Sequence, residues 1–306
     1  MQLASGFAAV RVSSNSANLG IVDYTSPYYY SLPTDPAYTL SCTASFGPIN
    51  DPHACPLRGM VVHIPIGATP ETGSDSHLAV IDVFAGVEYD FWHAPPGPVG
   101  AGGGSYAIGW GSYGSVSGLG FTLGGADGGF GATHSGFALT LGTLRGADLL
   151  AGNITHALQF NVDCAANGIY PLQNVSTAFP CPSGTVAAPP YGARVWLDLS
   201  DAQIDALQLG GQPAPAYLKA VYRALAHYGA FVGDTNGSNQ NSFATEGGLT
   251  YTARGYADPW VALAAQTGIT AAGDGDYRFP LNADGYPALF ATHLHVLDTC
   301  VTQATC

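Results

Sequence analysis

The sequence predicts an all-β fold, a jelly-roll-like β-sandwich carrying a few short helices, and three observations carry that prediction. Short alternating or β-branched runs recur between clusters of Gly, Pro, Asn and Ser. Glycine is abundant (41 of 306 residues) and charged residues make up only 9%, against about 25% in ordinary globular proteins. Helical periodicity is confined to a few short stretches, too few to cover a parallel α/β sheet. With no internal repeat and no clean linker, the chain reads as a single domain over residues 1–306.

Phe7 to Val12, Leu19 to Tyr24 and Tyr38 to Cys42 read as strands. The Tyr28-Tyr29-Tyr30 run reads either as a stacking platform or as cover for a sheet edge. Met60 to Ile66 is a further strand, with His63 half-buried in it. Asp75 to His93 is expected to form a hairpin turning at Ala85-Gly86, where glycine takes the positive φ of a tight loop. Pairing then runs Val83 with Glu88, Ile81 with Asp90 and Ala79 with Trp92. Leu78, Val80, Phe84, Val87, Tyr89 and Phe91 face the core, with Asp82 among them. His77, Ala79, Ile81, Val83, Glu88, Asp90 and Trp92 share the other face. That second face sets an imidazole, two carboxylates and an indole side by side, groups that suit a polar ligand with flat apolar sides. Acidic residues alternating outward are equally the ordinary solvent face of a strand.

The glycine-rich stretch from Pro95 to Gly131 lacks the frame of a phosphate loop and reads as long loops or tightly turned strands carrying Tyr106, Trp110 and Tyr113. Gly146 to Gly152 is one helical turn. Ile154 to Val162 is a strand that points His156 inward among apolar groups, as a core histidine or a general acid/base. Ala193 to Leu199 is a strand leading to Ser200, an N-cap for the following helix. Pro215 to Tyr228 is the clearest helix, with Leu218, Val221, Tyr222, Leu225 and Tyr228 on one face and Gly229 ending it. A strand, Ala230 to Gly233, and a polar turn from Asp234 follow. Pro259 to Thr267 is a short helix, and His293 and His295 share the face of a last strand, where a metal is conceivable but no third ligand is identifiable.

The net charge is −13 with only eight Lys and Arg, so neither nucleic acid nor an anionic membrane is an expected partner. No run approaches the length of a membrane span. The N-terminus has neither a basic region nor a long apolar stretch, and the chain is expected to be mature protein behind an initiator Met. The cysteines fall as Cys42/Cys55, Cys164/Cys181 and Cys300/Cys306, which predicts three local disulfides and an oxidising, extracellular location. Asn153, Asn174 and Asn236 stand in glycosylation acceptor patterns, meaningful in a eukaryotic secretory host. No cofactor and no metal are expected.

Several short patterns occur in a telling order: D-x-H (Asp75, His77), Glu88 to Trp92, A-x-x-x-G (Ala132 to Gly136), G-x-I-x-H-A (Gly152 to Ala157), P-P-x-G-x-R (Pro189 to Arg194) and A-L-x-x-Y-G-x-x-V-x-D-x-x-G (Ala224 to Gly237). In this order, over about residues 55–240, the chain resembles large secreted β-rich proteins of bacteria and fungi that often carry carbohydrate-binding modules and have no assigned reaction. The resemblance implies a secreted β-fold directed at polysaccharides. Glu88-x-Asp90 is also similar to the E-x-D-x-x-E strand of retaining jelly-roll glucanases, but His93 stands where their last glutamate belongs.

These readings converge on a carbohydrate-active protein whose partner is a polysaccharide or oligosaccharide. A glycoside hydrolase divides its work between two carboxylates that flank the bond. Glu88 and Asp90 lie on one strand and so are expected to need a carboxylate from elsewhere, Asp75 or Asp234. His77 would tune a carboxylate, and Trp92, Trp110, Tyr106 and Tyr89 would contact sugar. A non-catalytic glycan-binding or surface structural protein is the alternative. A polysaccharide lyase ranks third, because so few Arg and Lys are present to neutralise a uronate.

Overall fold

The computed structural model describes residues 18–19, 23–44, 55–120, 131–162, 164–172, 188–235, 242–273 and 275–297. Its strands are β1 (Asn18–Leu19), β2 (Tyr28–Ser31), β3 (Ala37–Cys42), β4 (Val61–His63), β5 (Leu78–Asp82), β6 (Val87–Trp92), β7 (Gly104–Ile108), β8 (Trp110–Ser115), β9 (Leu158–Val162), β10 (Arg194–Leu197), β11 (Gln208–Leu209), β12 (Gln212–Pro213), β13 (Ala230–Thr235), β14 (Ser242–Phe243), β15 (Phe279–Pro280) and β16 (Leu294–Val296). Helices are α1 (Gly146–Ala151), α2 (Asp201–Asp205), α3 (Ala216–His227), α4 (Leu249–Thr252), α5 (Pro259–Thr267) and α6 (Tyr286–His293).

The expected richness in sheet, with few and short helices, is present. The strands form sheets in the orders β2-β5-β6-β8, β4-β3-β7 and β14-β9-β13-β10-β16, with small pairs β1-β15 and β11-β12. The sheets are mixed: β2 runs parallel to β5, β3 to β7 and β9 to β13. Parallel neighbours need a long crossover, and between β2 and β5 the chain provides one by building β3 and β4 on the way.

Apolar side chains gather in separate clusters. One holds Tyr29, Leu40, Leu57, Ile64, Leu78, Val80, Phe91 and Ile108. A larger one holds Leu158, Phe160, Val195, Leu218, Tyr222, Trp260 and Phe279. Helix α3 lays Leu218, Val221, Tyr222 and Leu225 into the larger core as its period requires. Tyr228, expected on that face, is exposed because it is the C-cap rather than part of the last helical turn. Ser200 caps α2 in a full capping box, and Asp258 caps α5 with Pro259 in its first turn.

The glycine-rich stretch resolves, among its described residues, into the tightly turned strands β7 and β8. Several expectations need correcting. His293 ends α6 and His295 lies on β16, so they do not share a strand face. Strand β9 starts at Leu158, so His156 stands outside it, half-buried at the surface instead of inside the core. Its Nε2 lies 3.7 Å from Asp148 and its Nδ1 2.9 Å from the Ala157 carbonyl. Tyr106 is buried in the first core and out of reach of a ligand. Cys42 and Cys55 form the expected disulfide, and Cys164 is disulfide-bonded. Cys181, Cys300, Cys306, Asn174, Asn236 and the expected strand at Phe7 to Val12 lie outside the described residues. Among those residues no helix is long and apolar enough to cross a membrane.

Candidate functional site

The hairpin from Asp75 to His93 forms, with a register offset from the expected one. Ile81 pairs with Glu88 and Ala79 with Asp90, which leaves a four-residue loop from Val83 to Gly86. Asp82 explains the longer loop: its carboxylate accepts the N–H groups of Phe84 (2.9 Å) and Ala85 (2.8 Å), an Asx turn. Gly86 supplies the positive φ of 66°. Phe84 consequently rides on the loop at 70% exposure and leaves the core face. An offset of two residues preserves parity, so Ala79, Ile81, Glu88 and Asp90 still share one face.

That face is covered. The segment from Ala132 to Thr140 lies over it, and Ala132 and Leu139 pack on Ala79. Leu139 N–H donates to Asp90 Oδ2 (2.8 Å), while Thr140 donates its N–H (3.2 Å) and its hydroxyl (2.7 Å) to Glu88. Both carboxyls are buried, and burial followed by repulsion from Glu88 raises Asp90 well above the usual carboxylate range. Glu88 and Asp90 therefore latch the covering segment to the sheet, and the expected open surface beside them does not exist. Trp92 is likewise not a free platform: its ring stacks on His93 at 3.6 Å. Tyr89 and Tyr113 pair on the opposite face, 6.2 Å apart. Trp110 stands opposite Trp92 on β8 and packs with it against Ala79 and Leu139.

The polar groups converge instead at the open end of the hairpin. Trp92 Nε1 donates to Asp75 Oδ1 at 3.0 Å. His93 N–H donates to the Asp75 carbonyl at 2.7 Å. Ser76 (φ 45°) and His93 (φ 52°) hold left-handed backbone without being glycine, a local cost that tends to collect where side chains must be aimed. The loop carrying Asp75 is organised by buried Glu71, which accepts N–H groups from Tyr24 (2.8 Å), Gly73 and His77 (3.2 Å). His77 bonds the Ala132 carbonyl, and burial lowers its pKa to about 4 despite Asp75 beside it. The imidazole is neutral at physiological pH.

Asp234 enters from β13. The register of β13 on β9 shifts between Val232 and Asp234, a bulge that re-aims the following side chain. The skipped residue is Gly233, where a Cβ would sit 2.5 Å from Gln159 Cγ and 2.9 Å from Phe137. Asp234 accepts N–H groups from Thr235 (2.7 Å) and His134 (3.3 Å). Burial nonetheless raises its pKa to about 7, and the nearby Asp75 adds to the rise. The His134 ring stacks on Tyr191, ring centres 5.4 Å apart. The buried Tyr191 hydroxyl meets Thr235 beside Asp234, and Asn161 Oδ1 is buried with no hydrogen-bond partner among the described residues, leaving a polar atom beside the carboxylates for a ligand to satisfy.

Comparison with family models, with curated proteins and with solved structures finds no match. The site therefore rests on its geometry. Of the residues singled out from sequence, the structure brings Asp75, His77, Trp92 and Asp234 together; it sets Glu88 and Asp90 in the covered layer and His156 elsewhere. His134, Tyr191, Asn161 and Glu71 were missed, and only the A-x-x-x-G pattern around His134 and P-P-x-G-x-R around Tyr191 marked their neighbourhoods. Among the described residues no group of His, Cys, Asp and Glu is arranged to hold a metal ion.

Proposed function

We propose that the chain is a secreted glycoside hydrolase in which Asp75 and Asp234 divide acid/base work on a polysaccharide. The observation that carries this reading is the pairing of two carboxyls from distant parts of the chain in unequal surroundings. Asp234, with a pKa of about 7, keeps a proton into the neutral range and is the general acid. Asp75, held by the Trp92 indole, is the base or nucleophile. Neutral His77 fixes the covering segment beside them. Tyr191, Asn161 and the exposed His134 and His93 supply the polar contacts for sugar hydroxyls. The Cys42–Cys55 disulfide supports an oxidising location.

Release of reducing ends from a panel of neutral polysaccharides tests this. Asp75→Asn and Asp234→Asn should each remove turnover from folded protein, whereas Glu88→Gln should keep it. Turnover surviving in Asp234→Asn, or hydrolysis by no wild-type preparation across the panel, refutes the assignment.

A further inference from the structure

A second cluster of polar side chains stands apart from the Asp75–Asp234 pair, where β2 meets α1 and α4. At its floor is Glu246, fully buried. Its Oε2 accepts the Tyr251 hydroxyl (2.8 Å) and Gly146 N–H (3.3 Å), and its backbone carbonyl accepts Trp260 Nε1 (3.0 Å). Its Oε1 is buried with no hydrogen-bond partner among the described residues. The Tyr28 hydroxyl hydrogen-bonds the same carboxylate. Above this floor Arg145 Nε bonds Asp148 at 2.7 Å, and His156 Nε2 lies 3.7 Å from the same Asp148 oxygen. Tyr28, Tyr251, Arg145, Asp148 and His156 are all half-buried, so they form a wall open to solvent on one side. Tyr30, on the same strand face as Tyr28 and edge-on to it at 5.9 Å, is 51% exposed at the rim.

We propose that this cluster is a second glycan subsite, which takes a neutral glycosyl residue between Tyr30 and the Glu246 floor. A buried carboxylate oxygen without a partner is costly, and a ligand hydroxyl supplies the missing donor. The wall offers phenol hydroxyls, a guanidinium and a carboxylate, the mixture of donors and acceptors that matches a polyhydroxylated ring. A cation is opposed by Arg145 and an anion by Glu246 and Asp148, so an uncharged ligand fits best. Tyr30 offers a flat apolar face to the C–H side of a sugar, the division of labour common to small-ligand sites.

The test is affinity electrophoresis of the full chain through gels containing soluble neutral polysaccharides, with chitosan and pectin as charged probes. Asp75→Asn protein is used, so that retention is read independently of hydrolysis. Retention by at least one neutral polysaccharide is expected, with apparent affinity falling about tenfold or more in Tyr30→Ala and in Tyr251→Phe. Tyr30→Ala alters an exposed side chain and should leave the thermal midpoint unchanged, which separates lost binding from lost folding. Absence of retention by every neutral probe, retention by the charged probes alone, or retention unaffected by Tyr30→Ala overturns the proposal. Retention that persists when wild-type protein shows no hydrolysis supports this subsite and refutes only the catalytic reading.

Discussion

Replacing Asp234 by Asn should abolish the pH dependence that this residue imposes on stability. Its pKa rises from 3.8 to about 7 on folding. An acid raised in the folded state favours folding while protonated, so stability is highest below 3.8 and is lost as pH climbs through 7. At about 1.4 kcal/mol per pH unit, the loss between pH 4 and 8 is at most about 4 kcal/mol, less what solvent screens at a half-buried side chain. Asn carries no such penalty but offers one acceptor where the carboxylate offers two. One of the N–H groups of Thr235 and His134 then loses its bond, at a pH-independent cost of about 1–3 kcal/mol. The variant should therefore be the less stable protein at pH 4 and the more stable one at pH 8, with hydrolysis lost throughout. Urea unfolding of both proteins across that range reads the difference directly, and the other raised acids cancel in it. A stability gap that stays constant with pH refutes the buried, proton-holding assignment.

Other outcomes follow from the same geometry. Asp90→Asn should reduce the stability lost on alkalinisation, since Asp90 too is raised by burial, whereas Glu88→Ala should cost about 1–3 kcal/mol by stranding the Thr140 donors; chemical denaturation measures both. Glu71→Gln should lower kcat of the hydrolase while leaving the core intact, because Glu71 holds the loop that aims Asp75; kcat equal to wild type refutes it. Trp92→Phe, which removes the indole N–H to Asp75 and part of the ring that stacks on His93, should lower both kcat/KM and the thermal midpoint; kcat/KM equal to wild type refutes the role given to the indole. Replacing both Cys42 and Cys55 by Ser, which removes a bridge spanning 13 residues, should cost about 3 kcal/mol by the loop-entropy relation, measured by urea unfolding without reductant.

Local pattern made the hairpin, helices α3 and α5 and the capped start of α2 legible, because period and cap chemistry act over a few residues. Strand parity was legible too, which is why Glu88 and Asp90 do share a face. What covers that face was not, since Leu139 and Thr140 lie about fifty residues away and nothing in 78–92 announces them. The parallel pairings were hidden for the same reason: short strands carry no mark of their partner's direction. Asp82 was a readable signal for a four-residue loop that the Ala85-Gly86 reading passed over. The Glu246 cluster gave no periodic sign at all, as it joins Tyr28, Arg145 and Tyr251 from separate elements.

The edge strand β2 is fastened by Thr245, Leu249 and Thr250, distant in the sequence. Ser26 N–H donates to the Thr245 carbonyl (2.8 Å), Tyr28 N–H to the Thr250 hydroxyl (3.2 Å), and the Tyr29 hydroxyl to the Leu249 carbonyl (2.9 Å). A nascent chain leaving the ribosome cannot make these bonds until residues more than 200 positions downstream have emerged. The β2 edge therefore waits, with backbone groups open to strand addition, through most of synthesis, and truncations that stop before residue 250 should aggregate through it.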